Sequence, residues 1–227
     1  MPIFTTDLLE LYQLAHVILS QPQLPADGPI CFFGQTEEND MPPLCSAAEL
    51  MNRKIGPSDY PFGPILIGQC DWIERPNGLV VRGSDAWVKE LKRLKVSDHS
   101  IMVYSMSDRF PPSTDAEAWG MVELIKKNSW KCLVVVVPPL HAIRAFVSLV
   151  SACKKSGLDD VKIWSMPSYA LPWDRNVFHS GSMPSAPRIE QVTGEMEKIF
   201  AYCAKGDHLT AGEILKYLKN RDSYTPA

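Results

Sequence analysis

Residues 134–146 read VVVVPPLHAIRAF. Four consecutive valines, β-branched and apolar with no alternation, suit a strand covered on both faces, as in the middle of a parallel sheet. Pro138 and Pro139 lack the N–H that a central strand needs, yet fit the first turn of a helix. The next residues, LHAIRAFVSLVSACKKSG (140–157), carry apolar side chains at helical spacing and stop at Gly157. Ile143, Phe146, Val147, Val150 and Cys153 form the expected buried face. His141, Arg144, Ser148, Ser151 and Lys155 form the opposite stripe. The stretch is thus a strand that enters a helix directly.

The same unit recurs along the chain. Apolar runs predict strands at PICFFG (29–34), PILIGQC (64–70), SIMVYSMS (100–107), KCLVVVV (131–137) and VKIWSM (161–166). Helical spacing appears at 7–20, where Leu8, Leu11, Tyr12, Ala15, Ile18 and Leu19 share a face. It recurs at 46–54, 84–96, 114–129, 188–206 and 210–220, with polar loops between. Pro76-Asn77-Gly78 marks a hairpin turn. Strands alternating with helices give an α/β fold: one doubly wound Rossmann-like domain, with a mostly parallel sheet of about five strands flanked by helices. The domain spans residues 1–227, with an N-terminal helix (7–20), a core (28–166), a long loop (167–187) and C-terminal helices (188–220). The third to fifth strands are expected to be almost wholly buried. The last long helix is expected to dock through Ile189, Val192, Met196, Ile199, Phe200 and Cys203.

Bulk composition narrows the function classes. The 227 residues are 45% hydrophobic and 22% charged, with a net charge of −3, so no basic field points to nucleic acid or an anionic membrane. No apolar run reaches the roughly 18–20 residues of a membrane span. The first twenty residues lack a basic start and carry Asp7 and Glu10, unlike a signal peptide, so a cytoplasmic location is expected. Six cysteines form no C-x-x-C pair and five histidines no H-E-x-x-H, so reduced thiols and no metal site are expected. Neither G-x-G-x-x-G nor a P-loop nor G-x-S-x-G occurs.

Ligands of open parallel sheets bind where the strands end. The loops there offer Gly34 and Gln35, Gly68 and Gln69, Asp108, Thr114 and Glu117, and then Pro138, His141 and Arg144. His141 and Arg144 share the first turn of a helix, the positive end of its dipole, where each cation costs roughly 0.3–1 kcal/mol. A bound anion or a carboxylate of the protein would reverse that cost. Thr114 and Glu117 match a capping box, or else Glu117 serves Arg144 or a ligand hydroxyl.

The order of these motifs resembles the YdcF-like and SanA/ElyC-like family of bacterial domains. The resemblance rests on two strands ending in glycine, then STDAEAW (113–119), VVVVPPLHAIRA (134–145) and GEMEKIFAYCAKGD (194–207), and covers about residues 28–207. It implies a Rossmann-like fold without an agreed reaction, S-adenosylmethionine as a suggested nucleotide-like ligand, and membrane anchoring in some members. The family's threonine, glutamate, histidine and arginine fall on Thr114, Glu117, His141 and Arg144. Gly34-Gln35 and Gly68-Gln69 stand where the family usually pairs two glycines.

The expected function is a soluble domain binding a small anionic or nucleotide-like molecule at the C-terminal edge of the sheet. One alternative is a phosphoester hydrolase or transferase in which His141 is the acid/base, Glu117 its partner and Arg144 the clamp. Another is a non-catalytic interaction module. Oligomeric state leaves no mark on the sequence.

Overall fold

The computed structural model describes residues 5–20, 24, 28–52, 62–75, 78–178 and 185–223. In chain order the elements are α1 (Thr5–Leu19), β1 (Ile30–Phe32), α2 (Glu37–Asn52), β2 (Ile65–Gly68), β3 (Ile73–Glu74), β4 (Val80–Val81), α3 (Gly83–Arg93) and β5 (Ile101–Tyr104). Then follow α4 (Thr114–Asn128), β6 (Cys132–Val137), α5 (Pro139–Lys155), β7 (Lys162–Pro167), β8 (Asn176–Val177), β9 (Ala186–Pro187), α6 (Arg188–Ala204) and α7 (Ala211–Asp222).

Five strands pair in the order β5-β2-β1-β6-β7, every pair parallel. This is a doubly wound, Rossmann-like α/β sheet. Its side chains alternate between two apolar layers. Ile30, Phe32, Ile65, Ile67, Val134 and Val136 face α2 and α3. Cys31, Leu66, Leu133, Val135, Val137 and Ile163 face α1, α4, α5, α6 and α7. The valines of VVVV thus serve both layers, which is why the run shows no polar alternation.

Burial of the strands departs from expectation. β1, β2 and β6 are the covered ones, whereas β5 and β7 are the sheet's edges, with Val103 45% exposed. The first helix docks by Leu11, Leu14 and Ile18, and leaves Leu8, Tyr12 and Leu19 exposed. Residues 37–45, read as loop, are the first turns of α2. Glu37, Glu38 and Asp40 suit the positive end of the dipole there. Pro42 cannot donate to the carbonyl of Glu38, and the Arg188 guanidinium takes that carbonyl instead, at 3.0 Å. β3 and β4 form the small hairpin expected near Gly78, whose turn residues Pro76 and Asn77 lie outside the described residues. Within the long loop, β8 and β9 pair as a second antiparallel ribbon. No described helix is long and apolar enough to cross a membrane.

Candidate functional site

The strand order reverses between β1 and β6, so the loops leaving these two strands diverge and open a crevice at their C-terminal ends. From the first loop and the start of α2, Gln35, Thr36 and Asn39 line a narrow cleft there that is open to solvent. From α5 come Leu140 and His141, from α6 Gln191, and from the strand β8 and its end Val177 and Phe178. Several of the polar groups are already oriented. Asn39 donates to the Thr36 hydroxyl (2.9 Å), Thr36 donates to the Phe178 carbonyl (3.2 Å), and the Gln191 amide donates to the Val177 carbonyl (3.3 Å). Among the described residues, no lysine or arginine lines this cleft.

His141 reaches the cleft because Pro138 ends the strand and Pro139 starts the helix, as expected. Arg144, Thr114 and Glu117 do not line it. They lie behind His141 in a buried polar cluster. Glu195 Oε2 accepts from His141 Nδ1 (2.6 Å) and from Arg144 Nε (2.7 Å). Arg144 Nη1 donates to Thr114 Oγ1 (2.7 Å), which lies 3.4 Å from His141 Nε2. With Nδ1 donating to the carboxylate, Nε2 is left as the acceptor for the threonine O–H. Lys198 Nζ adds a weaker contact to Glu195 Oε1 at 3.6 Å. The Arg144 charge and the His141 Nδ1–H at the head of α5 are therefore both held by Glu195 of α6, and Glu117 bonds to neither.

The capping box is also absent. Ser113 caps α4, its side chain accepting from the backbone N–H of Ala116. That frees Thr114 for Arg144 and Glu117 for the ends of β1 and β2. Glu117 Oε1 accepts from the backbone N–H of Gly34 at 2.7 Å. A Cβ at Gly68 would lie 3.2 Å from Glu117 Cγ, and one at Gly34 would lie 3.0 Å from Trp87 Cη2. The space beside both glycines is thus filled by the protein's own side chains, rather than kept for a ligand. Burial pushes the Glu117 carboxyl up to about 7, against the opposing pull of the Gly34 N–H and Arg144.

The polar stripe of α5 continues under α6 and the segment after it. Ser148 Oγ lies 3.2 Å from His208 Nε2, which is 2.7 Å from Asp115 Oδ1. Burial works against the Asp115 charge, but His208, Ser148 and the Arg144 charge together outweigh it and lower the pKa. Ser151 accepts from the backbone N–H of Leu209, and Lys155 donates to the carbonyls of Gly206 and Asp207.

Gln69 and Asp108 are exposed and stand apart from the cleft, Gln69 bridging β2 to β5 through its backbone. Pro138 belongs to a second cleft beside the first. Sequence reasoning missed Thr36, Asn39, Phe178, Gln191 and Glu195. A signal for the last two was present: Arg188, Gln191 and Glu195 recur at helical spacing and form the buried polar face of α6. The predicted docking stripe is only partly right. Ile199 is buried, whereas Ile189 is 57% exposed.

The chain matches no family model, no curated protein and no solved structure.

Proposed function

We propose that the chain binds a small nucleotide-like molecule in the cleft at the strand reversal. The observation that carries this is the lining itself: Gln35, Thr36, Asn39, His141 and Gln191 converge there with Phe178. Amide and hydroxyl groups read the polar edge of a heterocycle, and an aromatic ring accepts its face. The charge balance favours a nucleoside over a polyphosphate. Arg144 is taken up by Glu195, and the acids at 37 and 38 open the adjoining helix. S-adenosylmethionine, suggested by the family resemblance, carries the nucleoside and no phosphate, so it stays within this reading.

Calorimetric titration with adenosine, S-adenosylmethionine and adenosine triphosphate tests the proposal. The first two should bind, the triphosphate more weakly, and Phe178→Ala and Gln35→Ala should each weaken binding several-fold. Absence of saturable binding by all three would overturn it and favour the interaction-module alternative.

The enzymatic alternative, a phosphoester hydrolase or transferase, is favoured by one observation. A hydroxyl, an imidazole and a carboxylate stand in series as Thr114, His141 and Glu195. In that reading His141 keeps the acid/base role while Glu195, not Glu117, orients it, and Arg144 is a positioning residue. Turnover on a substrate panel, lost in His141→Ala while the fold survives, would select it.

A further inference from the structure

A second cleft, shallow and open to solvent, lies beside the first and shares Asn39 and Leu140 with it. Pro138, Pro139, Tyr169, Leu171 and Trp173 give it apolar, largely ring-bearing walls, and Arg188 supplies the charge. Tyr169 is fixed at the rim by donating to Glu49 Oε2 at 2.5 Å.

Arg188 is the unusual group. It is only 2% exposed, and its partners are all uncharged: Nε donates to Asn39 Oδ1 (2.9 Å), Nη1 to the Pro172 carbonyl (2.7 Å) and Nη2 to the Glu38 carbonyl (3.0 Å). A guanidinium has five N–H groups. Two of Arg188's therefore have no partner among the described residues, and no described carboxylate lies within ion-pair distance. Burial and the nearby positive charge of Arg175 both disfavour its ionised form, and Glu38 offsets this only from beyond contact. A buried cation left without a counter-charge is costly, whereas the same cation facing a ligand carboxylate is paired. Arg144, the other buried arginine near the cleft, already has Glu195.

We propose that this second cleft is a binding site for an aromatic carboxylate, with the ring between Trp173, Leu171 and the two prolines and the carboxylate on Arg188. A single guanidinium among apolar walls suits a monoanion attached to a flat apolar body, and offers nothing to hydrate a polyanion. The site does not depend on the reading of the first cleft, since its deciding residues, Leu171, Trp173 and Arg188, lie outside that one.

The test is calorimetric titration of the full chain with phenylacetate and with its uncharged counterpart phenylacetamide. Phenylacetate should bind saturably and phenylacetamide about tenfold more weakly or worse, the loss expected for one charge-assisted hydrogen bond. Arg188 also ties α2 to the 172 segment, so its removal perturbs folding, and Leu171→Glu is the deciding variant. It places an internal carboxylate beside Arg188 and should weaken phenylacetate by about tenfold, while Trp173→Ala weakens both probes. Three results would each overturn the site: no saturable binding of phenylacetate to the parent chain, equal binding of the two probes, or unimpaired binding of phenylacetate by Leu171→Glu.

Discussion

Replacing Glu195 with glutamine removes one negative charge and leaves the side chain's size unchanged. In the folded chain that carboxylate is almost wholly buried, with His141 Nδ1 at 2.6 Å and Arg144 Nε at 2.7 Å. Glutamine can still accept one hydrogen bond, but the Arg144 guanidinium keeps its charge at any ordinary pH. The variant therefore holds a buried cation without a directly bonded counter-ion. Breaking a buried pair from one side costs about 3–5 kcal/mol, a large part of a total stability of about 5–15 kcal/mol. For a chain of this size each kcal/mol moves the melting temperature by about 2–4 °C, so a fall of roughly 6–20 °C is expected. Thermal unfolding followed by circular dichroism measures it. Adding Arg144→Leu to Glu195→Leu should recover much of the loss, since the pair is then replaced by apolar groups. If Glu195→Gln melts within about 2 °C of the parent, the cluster is solvated and the assignment of Glu195 as counter-ion fails.

Two further outcomes follow from Glu117. Its carboxyl titrates at about 7 in the folded chain against an ordinary value of 4.5, so the folded state holds the proton over a range where the unfolded state has released it. Stability from this group is complete below pH ~4.5 and declines as pH rises to ~7, by at most about 3 kcal/mol. Denaturant unfolding of Glu117→Gln should lack that decline, and parallel pH profiles for parent and variant would refute it. Gly68→Ala should cost about 1–3 kcal/mol by crowding Glu117 and Met106, and less in a Glu117→Ala background. Strictly additive losses in the double variant would show that Glu117 does not fill that space.

The sheet was legible because five apolar runs without alternation cannot be satisfied on a one-sided surface. Their order was not. SIMVYSMS and VKIWSM read much like the central runs, but β5 and β7 end up at the edges because of how the crossovers wind, which no single run encodes. The start of α2 was missed for a local reason. Pro42 and Pro43 look like breakers, yet one freed carbonyl there is satisfied by an arginine 150 residues away. His141 and Arg144 were recognised from their place at the head of a helix. Their counter-ion was not, because Glu117 is nearer in sequence, whereas Glu195 sits on a helix whose apolar stripe masks its buried polar face.

That helix links the cluster to the clefts. α5 is buried through most of its length, so its polar stripe can only be satisfied by a partner helix of matching polarity. α6 and the segment after it provide this at one register: Glu195 must meet His141 and Arg144, His208 meets Ser148, and Leu209 meets Ser151. A slip of one residue would turn Glu195 away and strand the buried Arg144 charge and the His141 Nδ1–H. The hydrogen bonds thus specify position more than they add stability. Once Glu195 is fixed, helical spacing places Gln191 one turn earlier at the first cleft and Arg188 at the second. Loosening the register should therefore degrade both clefts together. Glu195→Gln, which touches neither proposed ligand, is then expected to weaken adenosine and phenylacetate alike at temperatures where the variant remains folded.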